Sequence, residues 1–156
     1  MPIEIERKFL VRSDEWRRSV RHSQRFCQGY LTHSDQTSVR VRRAGDQGFI
    51  TIKGAGRLIR PEYEYSIPVD EAEELLRTLC RRPLLEKTQH VVSHGSFWWA
   101  IDEFTGENAG LVLAEIELAS PKQSFSPPAW LGPEVTFDPR YRKSRLARYT
   151  AEQVMG

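Results

Sequence analysis

Two cysteines in 156 residues, Cys27 and Cys80, are too few for a disulfide framework, and they form no CxxC pair. That usage fits a reducing cytoplasm, with both thiols packed in a core. No run of about 18 apolar residues occurs. The start, Met1-Pro2-Ile3-Glu4, lacks the basic and then apolar stretches of a secretory leader. A transmembrane helix and export are therefore not expected. Charge of one sign is also missing: 23 basic against 21 acidic residues leave +2, too little to steer the chain toward nucleic acid or a membrane. There is no internal repeat and no GxxxxGK[ST] phosphate loop, and His22, His33, His90 and His94 read as surface or structural residues, so no zinc site is expected.

With 39% hydrophobic and 28% charged residues, the chain reads as one globular domain over residues 1–156, long enough to bury a core without staples. Gly, Pro, Asp and Asn divide it into short runs of period two, the signature of strands. The expected strands are 3–11, 25–32, 38–43, 48–53, 62–69, 84–93, 97–104 and 111–118, with a weaker ninth at 134–137. Short Gly-bearing links at 44–47 and 105–110 make antiparallel hairpins of their flanking strands. Asp70 as N-cap with Glu73 three residues on starts a helix carrying Ala72, Leu75, Leu76 and Leu79, which Pro83 ends. A short helix follows Ser13, and a third is read over Tyr141 to Met155, capped at Ser144. Residues 121–133 form a Pro-rich loop against which Trp16, Trp98, Trp99 and Trp130 pack the outer face.

The parity of charge within these strands carries the chemistry. Glu4, Glu6 and Lys8 share one face of the first strand, while Ile3, Ile5 and Phe9 face the other way. The alternation recurs with Arg40 and Arg42, Thr51 and Lys53, Glu62 and Glu64, and Glu115 and Glu117, and Lys87 and Asp102 occupy equivalent places. A single charged face is ordinarily a wet face. Here each strand is sorted by sign: 38–43 and 48–53 supply only cations, whereas 3–9, 62–69 and 111–118 supply mainly carboxylates. Closing eight such strands turns the charged faces into a lumen, with apolar faces outward under helices. Clustered carboxylates raise one another's pKa and buried cations need partners, so a bound anion and a hard metal are expected to compensate them. Arg and Lys suit phosphate oxygens, and carboxylates suit a divalent cation bridging those phosphates. The implied ligand is a metal-complexed polyphosphate.

The opening Ile3-Glu4-Ile5-Glu6-Arg7-Lys8-Phe9, an ExExK pattern, resembles the start of a CYTH-domain protein of the triphosphate tunnel metalloenzyme superfamily. Further matching segments are 38–42, 51–54, 62–65, 86–88, 101–104, 110–112 and 114–118, so the resemblance spans nearly the whole chain. It implies a mainly β (α+β) fold, a closed antiparallel eight-stranded barrel with helices outside and a C-terminal helix plugging one end. It also implies a triphosphate ligand with Mg²⁺ or Mn²⁺. By the same resemblance, Glu4, Glu6, Asp102, Glu115 and Glu117 are metal-binding candidates, and Glu62 and Glu64 belong to the same acidic set as candidates for activating water. Lys8, Arg40, Arg42, Lys53 and Lys87 are the phosphate grip, with Lys8 also placed among the catalytic candidates. Two positions depart from the family pattern: Gln89 stands where an Arg is usual, and Lys143 where Asn is usual. Arg140, Arg142 or Lys143 would restore the lost charge.

The expected activity is metal-dependent hydrolysis of inorganic triphosphate, since so compact a chain offers little surface for a base or an RNA body. A class IV adenylate cyclase or a nucleoside or thiamine triphosphatase is the alternative within the resemblance. A non-catalytic polyphosphate or nucleic-acid barrel is the alternative outside it, disfavoured because the acids would repel a phosphate backbone without a metal. The expected partners are thus a small triphosphate, without nucleic acid or membrane, and the chain is expected as monomer or homodimer in the cytoplasm.

Overall fold

A computed structural model of the chain describes residues 2–34, 36–142 and Leu146. Nine strands appear in chain order: β1 (Ile3–Val11), β2 (Val20–His33), β3 (Thr37–Ala44), β4 (Gln47–Gly54), β5 (Ile59–Ile67), β6 (Leu85–His94), β7 (Phe97–Thr105), β8 (Val112–Glu117) and β9 (Leu131–Glu134). One α-helix, α1 (Val69–Thr78), follows β5. The strands run in spatial order β5-β4-β3-β2-β6-β7-β8-β1, and β1 pairs back onto β5, closing an eight-stranded antiparallel barrel. Tight turns at Gly45 (φ 61°) and Gly95 (φ 60°) join β3 to β4 and β6 to β7, in a region that costs glycine little.

β1 is the seam. One edge pairs with β8 from Glu6 to Leu10, while the other is shared, Ile3 to Ile5 with β5 and Phe9 to Val11 with β9. Between those partners Glu6 N–H donates to Leu58 O and Lys8 N–H to Thr136 Oγ1, so the edge stays satisfied across the handover.

The outward apolar faces are covered in two patches. Ala72 and Leu76 of α1 bury against Val41 with Cys80, and Ile50, Ile67 and the half-buried Cys27 pack around them. On the other side Phe9, Trp16, Trp99, Ile101, Ile116 and Trp130 form a cluster in which the Trp99 ring sits edge-on to Phe9, Phe125 and Trp130 at 5.4–5.7 Å. Such edge-to-face pairs add about 0.5–1.5 kcal/mol each beyond burial.

Several local expectations are corrected. α1 begins at Val69 after Pro68, one residue before Asp70 can cap it, and no side chain caps it; Asp70 and Glu71 instead sit in the first turn, where the helix dipole favours carboxylates. Leu79 lies beyond the helix and is exposed. The short helix after Ser13 is a 3₁₀ segment, Glu15–Ser19, holding Trp16 fully buried. β2 starts five residues earlier than read, at Val20 rather than Arg25, because its polar stretch pairs with β6. β5 starts at Ile59, since Pro61 pairs only with the seam strand, and ends at Ile67. β9 is Leu131–Glu134 rather than 134–137, as Leu131 pairs with Val11. Trp98 does not pack the outer face: its neighbour Trp99 does, and the pleat turns Trp98 to the opposite side, 59% exposed. The C-terminal helix and its Ser144 cap lie outside the described residues apart from Leu146, which is fully buried with Tyr30, Leu85, Phe104, Leu113 and Tyr141.

Candidate active site

Because side chains alternate, closure turns one parity of each strand into the barrel. The register places Glu6 opposite Glu117 and Lys8 opposite Glu115, Arg40 opposite Thr51, Lys53 opposite Glu62, and Gln89 opposite Asp102. Glu4, Glu6, Lys8, Arg40, Arg42, Lys53, Glu62, Glu64, Lys87, Asp102, Glu115 and Glu117 therefore share the inner side. The lumen is not charged throughout: Leu10, Leu85, Phe104 and Leu113 lie on the same inner parity and join the apolar cluster that Val135, Tyr141 and Leu146 complete at one end.

The cations do not wait for external anions, as the sequence suggested. Lys53 Nζ donates to Glu4 Oε1 at 2.7 Å and lies 3.3 Å from Glu62 Oε2. Arg60 Nε donates to the same Glu4 oxygen at 2.8 Å. Glu64 Oε2 accepts from Thr51 Oγ1 at 3.0 Å and stands 3.9 Å from Arg40. The reason is topological: antiparallel neighbours put the acidic β5 beside the cationic β4, and closure puts acidic β1 beside Arg60, so sign-sorted strands neutralise across the ladder. Deeper in, Lys87 Nζ donates to Asp102 Oδ2 at 2.7 Å and Gln89 Nε2 to Asp102 Oδ1 at 2.9 Å. Gln89 thus supplies the second donor to Asp102 without a second charge.

These contacts set the titration behaviour. Burial opposes ionisation of Glu4, but its hydrogen bond with Glu62 and the charges of Lys53 and Arg60 outweigh this and hold it well below the usual carboxylate range. Its hydrogen bond with Glu4 and then burial push Glu62 up, against the pull of Lys53. Burial, then the neighbouring Arg40 charge, lowers Arg42 to about 10, with Glu64 and Asp102 opposing. Arg42 makes no ion pair among the described residues; its guanidinium lies 4.8 Å from the Phe26 ring centroid.

Two cavities open onto this constellation and differ in sign. The first, about 60 Å³, is walled by Lys8, Arg40, Lys53, Arg57, Arg60 and Arg142, with Tyr30 and Glu6 among them, and Gly54 and Gly56 at its rim. The second is walled by Glu6, Glu115 and Glu117 beside Trp98 and no cation. Glu6 lines both.

Three carboxylates from the adjacent strands β1 and β8 line the second cavity. No group of three or more acids, histidines or cysteines among the described residues is arranged to hold an ion by itself. Glu4 and Asp102 stand apart from that set, their oxygens engaged by Lys53, Arg60, Lys87 and Gln89.

Of the C-terminal cations, Arg142 lines the first cavity. Arg140 does not: its backbone and guanidinium both bond Asp138, which caps a 3₁₀ turn, and this local fold-back leaves the side chain half exposed over Tyr141. Lys143 lies outside the described residues. Sequence reasoning missed Arg57, Arg60, Tyr30 and Gln28. Arg60 shares the parity of Glu62 and Glu64 and was hidden only because β5 was started too late. Tyr30 and Gln28 carry no charge signal. His90, read as structural, bridges Ser23 Oγ at 2.6 Å and Glu103 Oε1 at 3.1 Å on the outside.

The CYTH domain family model matches residues 2–149. An inorganic triphosphatase of Acetivibrio thermocellus is 47% identical over 146 residues, covering 93% of each chain. One from Nitrosomonas europaea is 40% identical over 150 residues, covering 92% of this chain and 96% of its own. A crystal structure of an inorganic triphosphatase superposes with a TM-score of 0.67 at 37% identity, over 92% of this chain and 97% of that one.

Proposed function

The chain belongs to the CYTH domain family, and on that premise we propose that it is a metal-dependent inorganic triphosphatase acting inside its barrel. The observation that carries this reading is the segregation of charge around one lumen, six cations at one cavity and three carboxylates at the next, joined at Glu6. Two relatives at 47% and 40% identity named inorganic triphosphatase support it.

Phosphoanhydride hydrolysis is mainly positioning and charge neutralisation. Lys8, Arg40, Arg42, Lys53 and Lys87 take the phosphate oxygens, with Arg60 and Arg142 at the mouth. Substrate oxygens displace the carboxylates now paired with Lys53 and Arg40, so the internal ion pairs act as placeholders that keep the cations aimed inward. Glu6, Glu115 and Glu117 would hold a divalent metal, Mg²⁺ or Mn²⁺, which would supply Lewis-acid neutralisation of the phosphate chain. Glu62 is the carboxyl best suited to take a proton from attacking water, because its hydrogen bond with Glu4 and its burial raise its proton affinity. Glu64 orients the same water. The oxygen of that water bonds to the terminal phosphorus as the anhydride bond breaks, releasing phosphate and pyrophosphate. Two unpaired thiols, and no helix among the described residues long and apolar enough to cross a membrane, fit work in the cytoplasm.

The test is a panel of tripolyphosphate, pyrophosphate, ATP and thiamine triphosphate, each with Mg²⁺, Mn²⁺ and chelator. Fastest phosphate release from tripolyphosphate with metal is the expected ranking. Cyclic AMP from ATP, or no release from tripolyphosphate, overturns it.

A further inference from the structure

Gln28, on the inner side of β2, is completely buried, and neither its amide nitrogen nor its carbonyl oxygen has a hydrogen-bond partner. Leaving a primary amide unsatisfied is costly, so such a group marks a place where the fold keeps polarity for something else. Its surroundings say what. Gln28 pairs directly across the ladder with Arg42, and Tyr30, two residues on, pairs with Arg40. The Nε of Arg40 and the Nε of Arg42 are buried and unpartnered as well. On one face of two neighbouring strands, N–H donors of three side chains thus lack an acceptor within bonding geometry, and the Gln28 carbonyl oxygen lacks a donor.

Three inner carboxylates, Glu4, Asp102 and Glu64, are engaged elsewhere. Glu4 is held by Lys53 and Arg60, Asp102 by Lys87 and Gln89, and Glu64 by Thr51. An acceptor presenting several oxygens at once is a phosphoryl group, which takes guanidinium and amide donors together.

Resting on the reading of this lumen as a triphosphate site, we propose that Gln28 is a third, neutral phosphate-binding residue beside Arg40 and Arg42. Its Nε2–H donates to an oxygen of the phosphoryl group that those guanidiniums hold, and its Oε1 accepts from an Arg42 N–H. The fold therefore carries an unsatisfied amide in exchange for substrate affinity.

That trade is testable because it predicts opposite signs for stability and binding. Gln28→Met keeps the volume and removes the amide. Thermal unfolding in EDTA should give the variant a Tm about 2–4 °C higher than the parent protein. Titration with tripolyphosphate in EDTA, where no turnover occurs, should give it a Kd about ten- to a hundredfold weaker. Gln28→Glu, whose carboxylate pairs with Arg42, should also bind at least tenfold weaker and serves if the Met variant does not fold. An unchanged or lower Tm for Gln28→Met means the amide is satisfied, by a buried water or otherwise, and overturns the proposal. Parent-like affinity in either variant overturns it too. If the parent protein itself fails to bind tripolyphosphate, the lumen reading has failed; if it binds and the variants match it, only the role of Gln28 has.

Discussion

Lys87 Nζ sits 2.7 Å from Asp102 Oδ2 with neither side chain exposed at all. A pair this deep is held by geometry rather than by net energy, since desolvation of both ions offsets most of their attraction. With Gln89 on the other carboxylate oxygen and the Phe26 and Phe104 rings near the ammonium, Lys87 has a fixed position in the lumen. Removing one partner strands the other. Asp102→Ala is expected to cost about 3–5 kcal/mol in urea unfolding. The double change Lys87→Met with Asp102→Leu should recover most of that while leaving tripolyphosphate hydrolysis abolished. A single change as mild as the double one would show that the pair is not truly buried in solution.

Glu4 makes stability depend on acid in a definite direction. Its folded pKa lies below its unfolded value, so its contribution is complete above the unfolded carboxylate pKa and fades as pH falls toward the folded one. Glu62, raised in the fold, has the opposite sign and weakens the fold as pH rises through that range. Glu4→Gln should therefore lower Tm at pH 7 and lose that deficit progressively below about pH 4. Thermal melts from pH 7 down to pH 3 check it; a constant deficit would rule out ionisation as the cause. Because the substitution frees Lys53 and Arg60, metal-free tripolyphosphate should also bind the variant more tightly.

Glu6 and Glu117 face each other across β1 and β8 at the acid-walled cavity. Glu117→Gln should raise the Mg²⁺ or Mn²⁺ concentration for half-maximal rate about tenfold, the effect of one lost charged ligand contact of about 1.4 kcal/mol. EDTA should abolish turnover yet leave far-ultraviolet circular dichroism unchanged, since the barrel closes on backbone ladders alone. A metal requirement identical in parent and variant would move the ion elsewhere.

Gly29 marks a close approach between β2 and the chain that covers it. A Cβ there would come 2.7 Å from Leu84 Cδ2 and 3.0 Å from Cys80 Cβ, on the outer face away from the lumen. Gly29→Ala should cost about 1–3 kcal/mol of stability by overpacking. KM for tripolyphosphate, measured well below the melting temperature, should not change. A large KM change would mean that the outer packing sets lumen geometry.

Much of the barrel was legible because strand parity is local. Ile3-Glu4-Ile5-Glu6 alternates in any environment, so the inner and outer sides of β1 follow from four residues. Trp98 and Trp99 show the limit: adjacent aromatics cannot share a face, and which one meets the lumen depends on register with β6. Arg140 shows another, since a capping aspartate two residues away outcompeted the cavity for its charge. Gln28 was invisible because a neutral side chain in a polar strand carries no periodic signal; only burial without a partner distinguishes it.

Alternation alone determined that the inner charges recur at every second residue of a strand, because a pleated backbone sends successive side chains to opposite faces whatever surrounds it. Tertiary structure decided which charges meet. Pairing of Glu4 with Lys53 and Arg60, burial of Lys87 with Asp102, and separation of a cationic from an acidic cavity all arise when β1 closes onto β5. That closure joins segments more than fifty residues apart, at a register that no local window contains.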